Sequence, residues 1–244
     1  MNQTSNSSSS VASKNRMQPL VAMAALKKLI NDPERTEEVF VIIKAMSGDA
    51  LARTYKKFQQ TPMGQTIIAE ERSLLTTLMD REALREYAPG SLGREYLNFV
   101  ESQNITADGL VEASDVEDEI SDPAFRRFAE RMRDQHDLWH VVNGYGRDTF
   151  GEACLLAFTY AQTRNRGLGI IALVGTYKIS KDIGNGVRSA VWQAYKAGKK
   201  AAWLPQQDWE SLLSQPLEEV RQQLGLTPPE TYREVIHNDQ LANA

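Results

Sequence analysis

The chain has 244 residues, of which 41% are hydrophobic and 25% charged, and its formal net charge is -4. That length and balance suit one hydrophobic core, require no second domain and exclude a mainly disordered chain. A net negative charge argues against a nucleic-acid partner needing many phosphate contacts, and no apolar run approaches the roughly eighteen residues of a membrane-spanning helix.

In chain order, residues 1–16 are serine-rich and acid-free and read as a disordered tail. A single domain is expected over 17–236, followed by a short tail over 237–244. Apolar residues recur at helical spacing from Leu20 to Ile30, and Asn31, Asp32 and Pro33 then signal a break. Glu34 to Ala45 and Asp49 to Phe58 read as further helices, and residues 61–88 as two more, the first starting near Pro62. Gly90 and Gly93 mark a turn before a helix through Tyr96, Phe99 and Val100.

The acidic run from Asp115 to Asp122 reads as a helix entrance, with Asp122 as N-cap and Pro123 in the first helical position. Phe125, Phe128, Ala129 and Met132 share a face of that helix, which runs on into His136. Further helices are expected over Gly151–Thr163, Leu168–Lys178, Ile183–Lys196, Asp208–Gln215 and Leu217–Leu224, with the ordered part ending at "GLTPPETY". No repeat and no alternating strand pair is present, so the expected fold is an all-α, single-domain multi-helix bundle. Cys154, the only cysteine, sits in "ACLLAF" and reads as a small buried hydrophobe in a reducing compartment.

The chemistry concentrates in "HDLWHVVNGYGRDTFGE", residues 136–152, which holds two of the three histidines; His237 lies near the C-terminus. At about 100° per residue, His136, Asp137 and His140 fall on one side of a helix. Gly144 and Gly146 then break that helix and Gly151 opens the next, so the chain can double back as a hairpin and bring Glu152 to the same place. Two imidazoles with one or two carboxylates suit a divalent transition metal, with zinc first and iron, manganese or magnesium as alternatives. The same residues have simpler readings: Asp137 can pair with Arg133 one turn earlier, and Thr149 to Glu152 fits the capping-box pattern. A zincin would need H-E-x-x-H, and an HD-type phosphohydrolase would need a histidine before His136; neither condition is met.

H-D-x-x-H followed by eleven residues and a glutamate resembles the signature of the fourth protein of coenzyme Q (ubiquinone) biosynthesis and its bacterial relatives. The resemblance extends through "GSLGREYLNF" (90–99), "RMRDQHDLWH" (131–140) and "WESLLSQPLEEVRQQLG" (209–225). It implies an all-helical fold with a metal, usually taken as zinc, held by His136, Asp137, His140 and Glu152. It also implies removal of the ring carboxylate from a polyprenylated hydroxybenzoate, with hydroxylation at the vacated carbon, or a non-catalytic role organising the biosynthetic enzymes at a membrane surface. Asp137 is then either a ligand or an acceptor that orients a histidine. Ala153–Tyr160 and Leu168–Val174 are candidate walls for a prenyl slot, and residues 164–166 and 196–200 offer basic groups to a headgroup or phosphate. Expected partners are a prenyl lipid, other quinone-biosynthesis proteins, a membrane surface and a second copy of the chain. With few arginines in the opening segment, the expected setting is bacterial and cytoplasmic, peripheral at the inner face of the membrane, rather than mitochondrial.

Overall fold

The computed structural model describes residues 16–31, 35, 37–102, 120–184 and 186–242. These form α1 (Pro19–Asn31), α2 (Glu37–Ser47), α3 (Ala50–Phe58), α4 (Pro62–Ala69), α5 (Leu74–Met79), α6 (Arg81–Glu86), α7 (Leu92–Ser102), α8 (Pro123–Asp134), α9 (His136–Asn143) and α10 (Thr149–Thr163). They continue through α11 (Arg166–Asp182), α12 (Gly186–Lys200), a short 3-10 turn, α13 (Trp209–Leu212), α14 (Leu217–Leu224) and α15 (Glu230–Ala242). The fold is all-α, and no strand occurs among the described residues.

Local capping explains many of the boundaries. Thr61 accepts from the Gly64 N–H with Pro62 in the first turn, and Asp122 accepts from the N–H groups of Ala124 and Phe125 ahead of Pro123. The acidic run before Asp122 lies largely outside the described residues. Three structural differences stand against the sequence reading. The stretch after Pro62 holds three helices, because Asp80 ends α5 and caps α6 by accepting from the Ala83 N–H at 3.0 Å. α8 does not run straight into His136; it stops, and Gln135, fully buried, accepts from the Trp209 indole N–H at 2.7 Å. The Pro228–Pro229 pair precedes a helix instead of ending the order, and α15 continues to Ala242, past the boundary expected at 236. Proline in the first turn of a helix loses no hydrogen bond, since those N–H groups have no intrahelical acceptor anyway.

α10 lies at the centre, packed on α11 and α12, and its Phe150, Cys154, Leu155 and Phe158 are fully buried. Most of Ala153–Tyr160 is therefore core, with Leu155 and Phe158 each worth about 1.5–3 kcal/mol of transfer free energy. α7 and α14 flank α9. Backbone bonds tie the two outer segments together: Leu92 N–H donates to Gln215 O at 2.9 Å and Leu217 N–H to Gly90 O at 2.8 Å. The segments 90–99 and 209–225, far apart in sequence, thus meet beside the hairpin. α1, α2 and α11 build a satellite cluster around Ala25, Leu29, Ile42 and Ile171.

Candidate metal centre

The hairpin forms where the glycines require it. Gly144 ends α9 in the left-handed region (φ 74°), and its N–H returns to His140 O. The turn then packs so tightly that a Cβ on Gly151 would stand 2.1 Å from Gly146 O. Asp148 caps α10 by accepting from the N–H groups of Phe150 (3.1 Å) and Gly151 (2.9 Å). The N-cap is thus Asp148 and not Thr149, so the capping-box reading of Thr149 with Glu152 fails and the Glu152 carboxylate faces α9 instead.

The structure brings His136, Asp137, His140 and Glu152 together. His140 Nε2 lies 3.2 Å from Glu152 Oε1, and His136 Nε2 lies 3.8 Å from Glu152 Oε2. The two imidazoles meet edge to face with centroids 4.8 Å apart, and Phe99 of α7 stacks on His140 at 5.5 Å. One ligand atom from each of His136, Asp137 and His140 lies within 4.8 Å of the others. Asp137, 1% exposed, has Oδ1 at 3.1 Å from His136 Nδ1. Arg133 turns to Asp134 (2.9 Å) and not to Asp137, because the break at Gln135 separates the two helical registers.

The chemistry of these donors fits a cation. His140 Nδ1 lies 3.2 Å from Tyr145 O and can only donate there, which assigns Nε2 as the unprotonated nitrogen of the neutral ring. That Nε2 is buried and makes no hydrogen bond; Glu152 Oε1 is close but outside hydrogen-bond geometry. A nitrogen lone pair facing a carboxylate is repulsive unless positive charge lies between them. Bonds of 2.0–2.1 Å to a tetrahedral zinc place ligand atoms about 3.4 Å apart, comparable with the 3.2 and 3.8 Å separations seen here. Burial pushes the Glu152 carboxyl upward; positive charge on the His140 and His136 rings, with Arg147 beside them, outweighs it and lowers the group, and a cation between the rings and the carboxylate supplies that charge with His140 Nε2 unprotonated. Asp137 shows the same balance: burial raises it, and His136, Arg147 and His140 bring it net downward.

Groups distant in sequence hold the hairpin and escaped the sequence reading. Tyr232 of α15 donates to Asp148 Oδ2 at 2.6 Å and accepts from Gly146 N–H at 3.0 Å. Arg221 of α14 donates to the carbonyls of Val141 and Val142, both at 2.9 Å, and so closes the C-terminal end of α9. The one available signal was that α15 carries Tyr232 and Ile236 one turn apart; His237 beside them is exposed.

The family model described as "Coenzyme Q (ubiquinone) biosynthesis protein Coq4" matches residues 9–230. The chain belongs to the Coq4 family. It is 26% identical over 209 residues to the mitochondrial COQ4 homolog of Xenopus laevis, covering 86% of this chain and 72% of that protein. It is 27% identical over 211 residues to the mitochondrial COQ4 homolog of Danio rerio, covering 85% and 74%. A crystal structure of a protein from Nostoc punctiforme, named for ubiquinone biosynthesis, superposes with a TM-score of 0.63 at 20% identity, covering 86% of this chain and 99% of that one; it shares the fold. Coq4 proteins are proteins of ubiquinone biosynthesis. The expected cytoplasmic, bacterial setting is overturned by Coq4 relatives that are named mitochondrial. Scarcity of arginine in an opening segment was too weak a signal to decide the compartment. No described helix is long and apolar enough to cross a membrane.

Proposed function

We propose that His136, His140 and Glu152 hold a divalent metal, zinc before iron, manganese or magnesium. Asp137 accepts from His136 Nδ1–H and fixes that ring with Nε2 toward Glu152. The single observation that carries this reading is the buried, unpartnered Nε2 of His140 facing the Glu152 carboxylate. The reaction proposed is loss of the ring carboxylate of a polyprenylated hydroxybenzoate as carbon dioxide, the vacated carbon taking a proton, or taking a hydroxyl from water with dioxygen as the two-electron oxidant, reduced to hydrogen peroxide. When bound, a divalent cation supplies Lewis-acid stabilisation to the phenolate or carboxylate oxygen as charge enters the ring. Arg147, with Nε 3.9 Å from Glu152 Oε1 and a partly exposed side chain, stands at the mouth to meet the substrate carboxylate. Phe99 shields the inner imidazole from water and offers an aromatic wall.

The test is turnover by purified, metal-loaded protein on a prenylated hydroxybenzoate, with metal content read in parallel. His140→Ala should lose both; unchanged product formation in that variant defeats the catalytic reading.

A second reading is favoured by one observation: Leu20 and Met23 of α1, Phe40 of α2 and Leu173 of α11 are exposed on helices that pack together. Apolar side chains gathered this way suit a lipid or membrane surface and a scaffold that recruits other quinone-biosynthesis proteins. Loss of pathway flux in a metal-site variant that still folds and still binds its partners would refute a purely non-catalytic scaffold.

A further inference from the structure

At the far end of α10, about ten residues and so about 15 Å from Glu152 along the helix axis, the molecule carries a second concentration of charge, of opposite sign. A groove of about 390 Å³ is lined there by Arg53 and Lys57 of α3, Arg164 after α10, Lys199 of α12 and Trp203. No carboxylate lines it. Arg53 pairs with Asp49 outside it. The Lys57 ammonium rests 3.9 Å above the Trp203 ring, Arg164 reaches the Tyr195 hydroxyl at 3.5 Å, and the Lys199 ammonium lies 5.9 Å from the Tyr195 ring. Among the described residues, none of these three has a carboxylate at ion-pair distance.

Basic residues at helix C-termini complement the dipole. That accounts for a cation at each helix end, but not for the ends of α3, α10 and α12 opening on one groove free of acids. The carbonyls that would repel an anion there are partly occupied: Gln162 Nε2 donates to Gly198 O at 2.6 Å, and the Trp203 indole N–H donates to Gln162 O at 3.2 Å. Arg164 caps α10 in the left-handed region (φ 56°), where glycine is the low-cost residue. A residue other than glycine carries a backbone cost there, and in this chain that residue places a guanidinium at the groove. Burial also holds the Lys57 ammonium below its ordinary value, as for a cation short of a counter-charge.

We propose that this groove binds a phosphate-bearing anion, with Lys57, Lys199 and Arg164 as its donors and Trp203 as its floor. A guanidinium and two ammonium groups match a multiply charged anion with several acceptor oxygens, which a single carboxylate is not. The volume falls at the small end of small-molecule sites and exceeds the need of a bare ion. The phosphate can come from a phospholipid headgroup or from a soluble phosphate ester.

The experiment uses the full chain with inorganic pyrophosphate followed by calorimetry, and in parallel co-sedimentation with phosphatidylcholine vesicles with and without phosphatidic acid. Both are run at constant ionic strength, on wild type, Lys57→Gln/Lys199→Gln and Arg164→Gly. Wild type should bind pyrophosphate saturably or sediment with the phosphatidic acid vesicles, and both variants should weaken that binding at least tenfold with unchanged metal content. Saturable pyrophosphate binding without vesicle binding assigns a soluble ligand; sedimentation that depends on phosphatidic acid assigns a headgroup. No binding of either probe by wild type, or equal binding by Arg164→Gly, overturns the proposal. Arg164→Gly decides alone if the double variant fails to fold, because glycine suits the backbone it inherits.

Discussion

At its N-terminal end α10 presents Glu152 to two imidazoles and a buried aspartate, and at its C-terminal end it turns Arg164 toward Lys57 and Lys199. The first cluster is buried at its inner side, open at its mouth and cross-tied: His140 and Asp137 are buried, His136 and Glu152 are partly exposed, and Asp148, Tyr232 and Arg221 fix the backbone around them. The second is an open groove in which Lys57 and Lys199 lie against aromatic rings and, with Arg164, have no carboxylate at ion-pair distance among the described residues. Donors held in place by many bonds suit a small ion with strict geometry, whereas mobile lysines suit a larger anion with several acceptors. One buried helix separates them, so the two clusters stand at opposite ends of a single element.

The largest effect that would break this contrast is at Gly151. Gly151→Ala places a methyl 2.1 Å from Gly146 O, so overpacking should cost about 3 kcal/mol or more, seen in urea unfolding, and should abolish metal binding. Glu152→Gln removes a charge without removing volume; metal affinity should fall roughly a hundredfold, about 2.7 kcal/mol, while the apo protein unfolds much as the wild type does. Direct metal titration separates these two effects.

Tyr232→Phe sharpens the comparison from outside the hairpin. Losing the bonds to Asp148 Oδ2 and Gly146 N–H should cost about 1–2 kcal/mol and weaken metal binding several-fold while leaving phosphate binding unchanged. An unchanged metal affinity would show that α15 merely covers the core. The smallest effect is expected for Arg164→Gly, whose fold should be as stable as wild type or more stable by up to about 1 kcal/mol, with metal affinity untouched.

What was legible in the sequence was what local chemistry writes. Asp122 before Pro123, and the glycines at 144, 146 and 151, encode the entrance to α8 and the fold-back that carries Glu152 to His140. Helical spacing placed Phe128 and Ala129 on a buried face. The interruptions at Asp80 and Gln135 were not legible, because each depends on a side chain choosing between continuing a helix and capping or bridging elsewhere: Asp80 caps the next helix, and Gln135 binds Trp209 74 residues away. The hairpin's outer supports were invisible for the same reason. Arg221 and Tyr232 act on backbone groups about 80 residues earlier, and beyond the helical spacing of Tyr232 and Ile236 nothing in their own neighbourhoods marks them. α15 is not legible in the sequence, because a Pro-Pro pair such as Pro228–Pro229 serves equally as the end of an ordered segment and as the lead into a helix.

The most direct measurement is anomalous diffraction at the zinc edge from crystals of the zinc-loaded protein. A single peak is expected, within bonding distance of His140 Nε2, His136 Nε2 and a Glu152 carboxylate oxygen. A peak at another site, or none while His140 Nε2 turns out to be hydrogen-bonded, would contradict the account.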